Sequence, residues 1–187
     1  MQSLGNEYGQ LSGYYPNAKT IHSSDFLSQE HMMGYYFPFS MEANYNKTMY
    51  VVNKPATICH ELAHLKGFIY EDEANFIGFL ACIGSDDLFF RYSGYMSVLS
   101  YVEKEFRDSV NHNASQYFEH PEIARSVYDD DLFLTAEAWE KVEEKAVIQT
   151  AAVKKASNQF TEATLKLNGV EDGMKSYSRV VQLLLKY

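Results

Sequence analysis

Hydrophobic positions along the chain fall into two regimes that meet near Pro55. Ahead of it, short runs rich in Tyr, Phe and Val are separated by turn-forming residues, the pattern of strands. Ala18–His22 reads as a short strand, Ser24–Met33 as a loop or short helix, and Gly34–Phe39 with Ala43–Val52 as a hairpin. Pro38 has no N–H to give to a ladder, which places its strand at an edge or a bulge. From Pro55 onward the spacing is helical, and a proline suits a first turn, where a missing N–H costs little. Gly67 can take the left-handed conformation that ends this helix. A second helix then opens on Glu71-Asp72-Glu73, whose charge suits its positive dipole end, and runs through the apolar stretch Phe76–Ile83. Asp86–Asn111 repeats Leu88, Phe89, Tyr92, Met96, Leu99, Val102 and Phe106 at helical spacing, a core-facing stripe. Pro121 opens a short helix, Ala136–Lys166 reads as one long amphipathic helix stopped by Asn168-Gly169, and Lys175–Lys186 forms the last. The prediction is an α+β chain, a small N-terminal β-sheet or hairpin followed by a mainly helical part, with residues 1–187 in one domain.

Within the first predicted helix lies His60-Glu61-Leu62-Ala63-His64. Histidines four apart share one helix face, so both imidazoles can converge on one ion. Glu61, one position on, is angled away from that pair and is placed to hold and deprotonate a metal-bound water. The motif supplies two ligands and a base, and it lacks a third ligand. Glu71 and Glu73 are about 200° apart on a helix, so one of the two is expected to reach the metal. Two histidines, one carboxylate and a position left to water describe a catalytic Zn²⁺ site rather than a closed structural one. The competing reading of Glu71-Asp72-Glu73 is a solvated first helical turn.

HELAH followed by Glu71-Asp-Glu-Ala-Asn-Phe-Ile-Gly-Phe-Leu-Ala-Cys82 resembles the gluzincin side of the zincin metallopeptidases, and its E-x-E-A-N element is similar to that of the ImmA/IrrE-type peptidases. That resemblance implies a zincin-like fold, nominates Glu73 as the third zinc ligand beside His60 and His64, and makes Asn75 a partner of the ligands. Gly34–Asn46, Leu165–Gly169 and Ser176–Val181 extend the likeness to an uncharacterised bacterial family of membrane-anchored zincin-like proteins. The family carries transmembrane helices ahead of this region, which implies that this chain is a soluble portion. In zincins an edge strand above the active-site helix aligns the substrate by strand addition. Tyr35 to Tyr45 is the candidate here, with Tyr35, Phe37, Phe39, Glu42 and Asn44 as substrate-binding residues; the alternative is a plain aromatic core hairpin. Many zincins add a side chain that stabilises the oxyanion, and Tyr177 and Arg179 are the candidates, with His120 and Arg125 a weaker pair.

Composition narrows the partners. A hydrophobic content of 46% with 15 Tyr and 12 Phe is that of a packed domain, and a net charge of −9 with no Lys/Arg run argues against nucleic acid. No stretch has the basic start and apolar core of a signal peptide or the length of a membrane span. Cys59 and Cys82 lie on neighbouring predicted helices and are expected to be reduced core thiols rather than a disulfide. The expected function is a zinc-dependent metallopeptidase acting on a peptide or protein, with hydrolysis by a zinc-bound water activated by Glu61. The alternative is a non-catalytic, zinc-stabilised binding or sensing domain of a membrane-anchored protein.

Overall fold

The computed structural model describes residues 1–156, 159 and 179–187. Its strands are β1 (Lys19–Thr20), β2 (Gly34–Phe37) and β3 (Glu42–Tyr45), in the order β1-β3-β2, with β1 parallel and β2 antiparallel to β3. A short helix, α1 (Ser24–Gln29), connects β1 to β2. The rest is helical: α2 (Lys54–Leu65), α3 (Glu71–Ile83), α4 (Leu88–Ser109), α5 (Ala114–Tyr117), α6 (Arg125–Asp129), α7 (Ala136–Lys145), α8 (150–156) and α9 (Val180–Leu184). The chain is thus α+β, a small sheet followed by helices. No helix among the described residues is long and apolar enough to cross a membrane.

The hairpin is shorter than its sequence suggests, for identifiable reasons. β2 stops at Phe37 because Pro38 cannot continue a ladder, and β2 is indeed an edge strand. β3 ends at Tyr45 rather than reaching Val52, because the fully buried Asn46 turns the chain. Its Nδ2 donates to Ser28 Oγ at 2.9 Å and to the Met32 carbonyl at 3.1 Å, while its Oδ1 accepts from the Thr48 N–H at 2.9 Å. Val51–Asn53 is then a 3-10 turn leading into α2, with Pro55 in the helix's first turn as expected.

Helices α2, α3 and α4 enclose the core. Ala56 and Cys59 of α2 pack on Ala81 and Cys82 of α3, and both cysteines are free and buried. Phe79 and Leu80 meet Val98 of α4 and Val180 and Val181 of α9, and Leu11 closes over Ala63, Ala74 and Ile77. Each large apolar side chain buried in this way contributes about 1.5–3 kcal/mol.

Two helical expectations are corrected. The stripe assigned to Asp86–Asn111 matches the face α4 buries only in part: Met96 is buried and Tyr92, Leu99 and Phe106 are half-buried, but Leu88 is 75% exposed and Phe89 and Val102 are each 40% exposed, whereas Ser93, Gly94 and Val98, outside the stripe, are buried. Small residues let α4 approach closely, and Ser93 Oγ accepts the Ala56 N–H at 3.1 Å, so size and one hydrogen bond override hydrophobic periodicity. The long helix expected over Ala136–Lys166 is interrupted after Lys145. Gln29, 5% exposed, reaches into the break and donates to the Ile148 carbonyl at 2.9 Å and to Thr150 Oγ1 at 3.1 Å, contacts more than a hundred residues away in sequence. Residues 157, 158 and 160–166 of that stretch lie outside the described residues, as does the Asn168-Gly169 stop.

Asn46→Ala would take the side-chain partner from the part-buried Met32 carbonyl and Thr48 N–H at once, while Ser28 Oγ keeps its bond to the Ser24 carbonyl. We expect a loss of about 3 kcal/mol in denaturant unfolding, since each unsatisfied buried group costs about 1–3 kcal/mol; a change below about 0.5 kcal/mol would show that Asn46 does not set the turn.

Candidate functional site

The C-terminus of α2 builds the site. Gly67 takes a φ of +92°, its N–H donates to the His64 carbonyl at 2.9 Å, and the Phe68 N–H reaches back to the Ala63 carbonyl at 3.3 Å. This pair of bonds is a Schellman cap, and it turns the Phe68 carbonyl toward the helix end. There the carbonyl oxygen lies 2.7 Å from His64 Nδ1. A carbonyl only accepts, so Nδ1 carries a proton, and whenever the ring is neutral its lone pair is on Nε2, the tautomer a metal-ligating imidazole needs.

Three atoms then converge. His60 Nε2 and His64 Nε2 are 3.0 Å apart, and Glu71 Oε2 lies 3.2 Å from the first and 3.7 Å from the second. Ligand atoms held about 2.0–2.1 Å from a tetrahedral Zn²⁺ are roughly 3.3 Å from one another, so this triangle has the size the ion requires. Among the described residues His60, His64 and Glu71 form the group that could hold a metal. Burial acts to raise the Glu71 carboxyl, but hydrogen bonds and charge from His60 and His64 outweigh it and hold it down at about 2. The carboxylate is therefore ionised, as a ligand must be.

The carboxylate at this position belongs to Glu71, not to Glu73 as the E-x-E-A-N likeness implies. Helix α3 starts at Glu71, directly after the short connection that follows the Schellman cap. Ala74, fully buried, and Gly78 are three and seven residues beyond Glu71, so all three share a face, and Gly78 lies against the His60 backbone. Glu73, about 200° around the helix from Glu71, is turned from that face. Among the described residues Asn75 makes no direct hydrogen bond to the triad: its Nδ2 and His60 Nδ1 are each buried with no hydrogen-bond partner there.

Glu61 lies against strand β2, within electrostatic reach of the triad. It is 5% exposed, and the Tyr36 backbone N–H donates to its carboxylate. The ladder explains why that N–H is available. The Asn46 N–H donates to the Met33 carbonyl at 2.7 Å, and bonded pairs alternate along an antiparallel ladder, so Tyr35–Asn44 and Phe37–Glu42 are bonded pairs. Gly34 and Tyr36 therefore direct their backbone groups to the open edge. A Cβ on Gly34 would sit 2.4 Å from Glu61 Oε1 and 2.8 Å from its Cγ, so the strand can lie this close only with glycine there. Burial pushes the Glu61 carboxyl up to about 7, against the lowering influence of His60, His64 and the Tyr36 N–H.

The other expected site residues are distributed differently. Tyr35, Phe37, Glu42 and Asn44 all lie on the sheet face opposite to that of Gly34 and Tyr36, and Glu42 and Asn44 belong to the central strand rather than the edge. Glu42 is paired with Lys19, and Asn44 Nδ2 donates to the Glu42 carbonyl at 3.1 Å. Tyr35, Phe37 and Phe39 form a chain of ring contacts with centroids 6.1 and 5.6 Å apart. Arg179 Nε lies 3.5 Å from Asp72 Oδ2, so its ion pair goes to the first turn of α3 rather than to the triad. Tyr177 lies outside the described residues. Sequence reasoning missed Gly34, Tyr36 and the Phe68 carbonyl as parts of the site. Period-two alternation could have placed Tyr36 on one face with Gly34, but nothing local marks that face as the one over Glu61.

Zinc titration of the purified chain should give one site per molecule. A residue that only orients a ligand is typically worth 10–100-fold in affinity, so Glu71→Gln, which removes a direct ligand, should weaken zinc by at least about 100-fold. Glu73→Gln should leave it within a few-fold, and the reverse ranking would reinstate Glu73.

Comparison with curated proteins and with solved structures returns no match. A family model does match, over residues 1–185, described as a protein of unknown function, DUF3810. With nearly its whole length covered, the chain belongs to the DUF3810 family.

Proposed function

We propose that this chain is a zinc-dependent metallopeptidase with a zincin-like arrangement, in which His60, His64 and Glu71 hold Zn²⁺ and Glu61 is the general base. Two imidazoles and a carboxylate are a donor set suited to zinc, and three protein ligands leave a coordination position open. When bound, the ion would polarise a scissile carbonyl and acidify water.

The observation that carries the reading is the position of Glu61. It is buried beside the triad, yet its carboxylate is bonded to the Tyr36 N–H. A closed structural site has no use for a second acidic group held off the ligands, whereas hydrolysis does. Glu61 takes a proton from the attacking water and returns it to the leaving amine. The Tyr36 carbonyl faces the same open edge as its N–H and is placed to accept a backbone N–H from an extended peptide added as a further strand. One residue of β2 would thus orient both base and substrate. The family resemblance adds that the portion described here works beside a membrane anchor.

Glu61→Gln keeps size and shape but removes the base. Zinc content should be unchanged, and hydrolysis of any peptide cleaved by the wild type should fall by about 100-fold or more. Full zinc occupancy with no wild-type turnover against a broad peptide library would point instead to a zinc-stabilised binding domain. Gly34→Ala offers a separate check, since the atoms its methyl group meets first belong to Glu61 and Thr57. Misplacing a catalytic group by about 1 Å can cost about 100-fold, so turnover should drop steeply with zinc retained. Wild-type turnover in Gly34→Ala would mean that the contact between β2 and Glu61 does not matter to the chemistry.

A further inference from the structure

We propose that the phenol of Tyr36 donates the hydrogen bond that stabilises the oxyanion formed from the scissile carbonyl. The inference rests on the metallopeptidase reading and adds a catalytic residue to it.

Hydrolysis needs a donor aimed at the carbonyl oxygen as it gains charge. Arg179 is engaged with Asp72 on α3. Four tyrosines have committed hydroxyls: Tyr50 and Tyr92 both bond Asp130, at 2.7 and 2.8 Å, Tyr128 bonds Glu103 at 2.6 Å, and Tyr15 bonds the Leu11 carbonyl at 2.6 Å. The Tyr36 hydroxyl makes no hydrogen bond among the described residues, which leaves its proton available to a ligand.

Its placement is fixed by the strand. Side chains two apart on a strand share a face, and the Cβ direction of Gly34 points at Glu61 and Thr57 on α2. Tyr36 therefore projects over the same helix, and its ring stacks on that of His64 with centroids 6.5 Å apart and planes 28° from parallel. The residue is half-buried, neither sealed in the core nor free in solvent. Its backbone N–H is bonded to Glu61, and its carbonyl faces the open edge. Base, substrate strand and phenol are consequently tied to one residue, so a peptide that pairs with β2 brings its carbonyl to a donor already oriented by His64.

The proton balance is simple. The water oxygen bonds to the carbonyl carbon as its proton passes to Glu61, the neutral phenol donates a hydrogen bond to the resulting oxyanion without losing its proton, and the C–N bond breaks as Glu61 protonates the amine.

The test uses the full zinc-loaded chain and Tyr36→Phe, which keeps the ring that stacks on His64. Removing one oxyanion donor typically costs about 10²–10³-fold in kcat, so turnover of a fluorogenic peptide should fall by that factor with KM within about twofold and zinc content unchanged. Calorimetric binding of an N-phosphoryl dipeptide, whose tetrahedral phosphorus mimics the oxyanion, should weaken by at least about tenfold, while the unreactive product dipeptide binds as before. Equal turnover and equal phosphoramidate affinity in Tyr36→Phe and wild type would overturn the assignment and leave the metallopeptidase reading standing. A wild type that neither cleaves peptides nor binds the phosphoramidate would overturn both. Should Tyr36→Phe lose zinc or fold poorly, 3-fluorotyrosine at position 36 keeps ring and hydroxyl but makes the phenol more acidic. As a stronger hydrogen-bond donor it should tighten phosphoramidate binding, and an affinity equal to that of the wild type would overturn the proposal.

Discussion

Strand β2 lies so close to helix α2 that the Glu61 carboxylate occupies the space a side chain at position 34 would need. Much of the local architecture follows from that approach. An edge strand laid flat against a helix must have its outward N–H groups satisfied or exposed, and here the Tyr36 N–H is satisfied by the helix's own acidic side chain. Glu61 lies outside the group formed by His60, His64 and Glu71. Burial without a counter-charge in direct contact then raises its carboxyl to about 7, within the range a general base uses.

The opposite wall of the site depends on a backbone turn. The left-handed Gly67 closes α2 and aims the Phe68 carbonyl at His64 Nδ1, so one capping motif both ends a helix and selects an imidazole tautomer. The connection that follows is short enough to start α3 at Glu71, with its carboxylate beside the two imidazoles. The ion pair of Arg179 with Asp72 anchors that first turn from the C-terminal end of the chain, next to the residue whose placement matters most.

Legibility in the sequence was highest where the information is local. The helical frame of His60, Glu61 and His64, the proline in the first turn of α2, the glycine at its end and the edge position of the Pro38 strand all follow from rules spanning a few residues. The choice between Glu71 and Glu73 did not, because a 200° separation states that the two differ in direction but not which direction faces α2. Fully buried Ala74 marks that face only after packing is known. The face of the sheet turned to α2 was hidden for the same reason: aromatic Tyr35 and Phe37 advertise burial or binding, while bare Gly34 carries no such signal and marks the inner face. Buried small and polar residues misled elsewhere too, since Ser93 and Gly94 define the packed side of α4, and Gln29 bridges the break after α7 from the far end of the sequence.

The account stands on an open zinc site made by two imidazoles and one carboxylate. Zinc K-edge X-ray absorption of the stoichiometrically loaded chain tests this directly. The predicted first shell is two imidazole nitrogens and two oxygens at about 2.0–2.1 Å, with one oxygen replaced by sulfur when a small thiol inhibitor is added. A shell containing protein sulfur near 2.3 Å before any thiol is added, or fewer than two imidazoles, would contradict it.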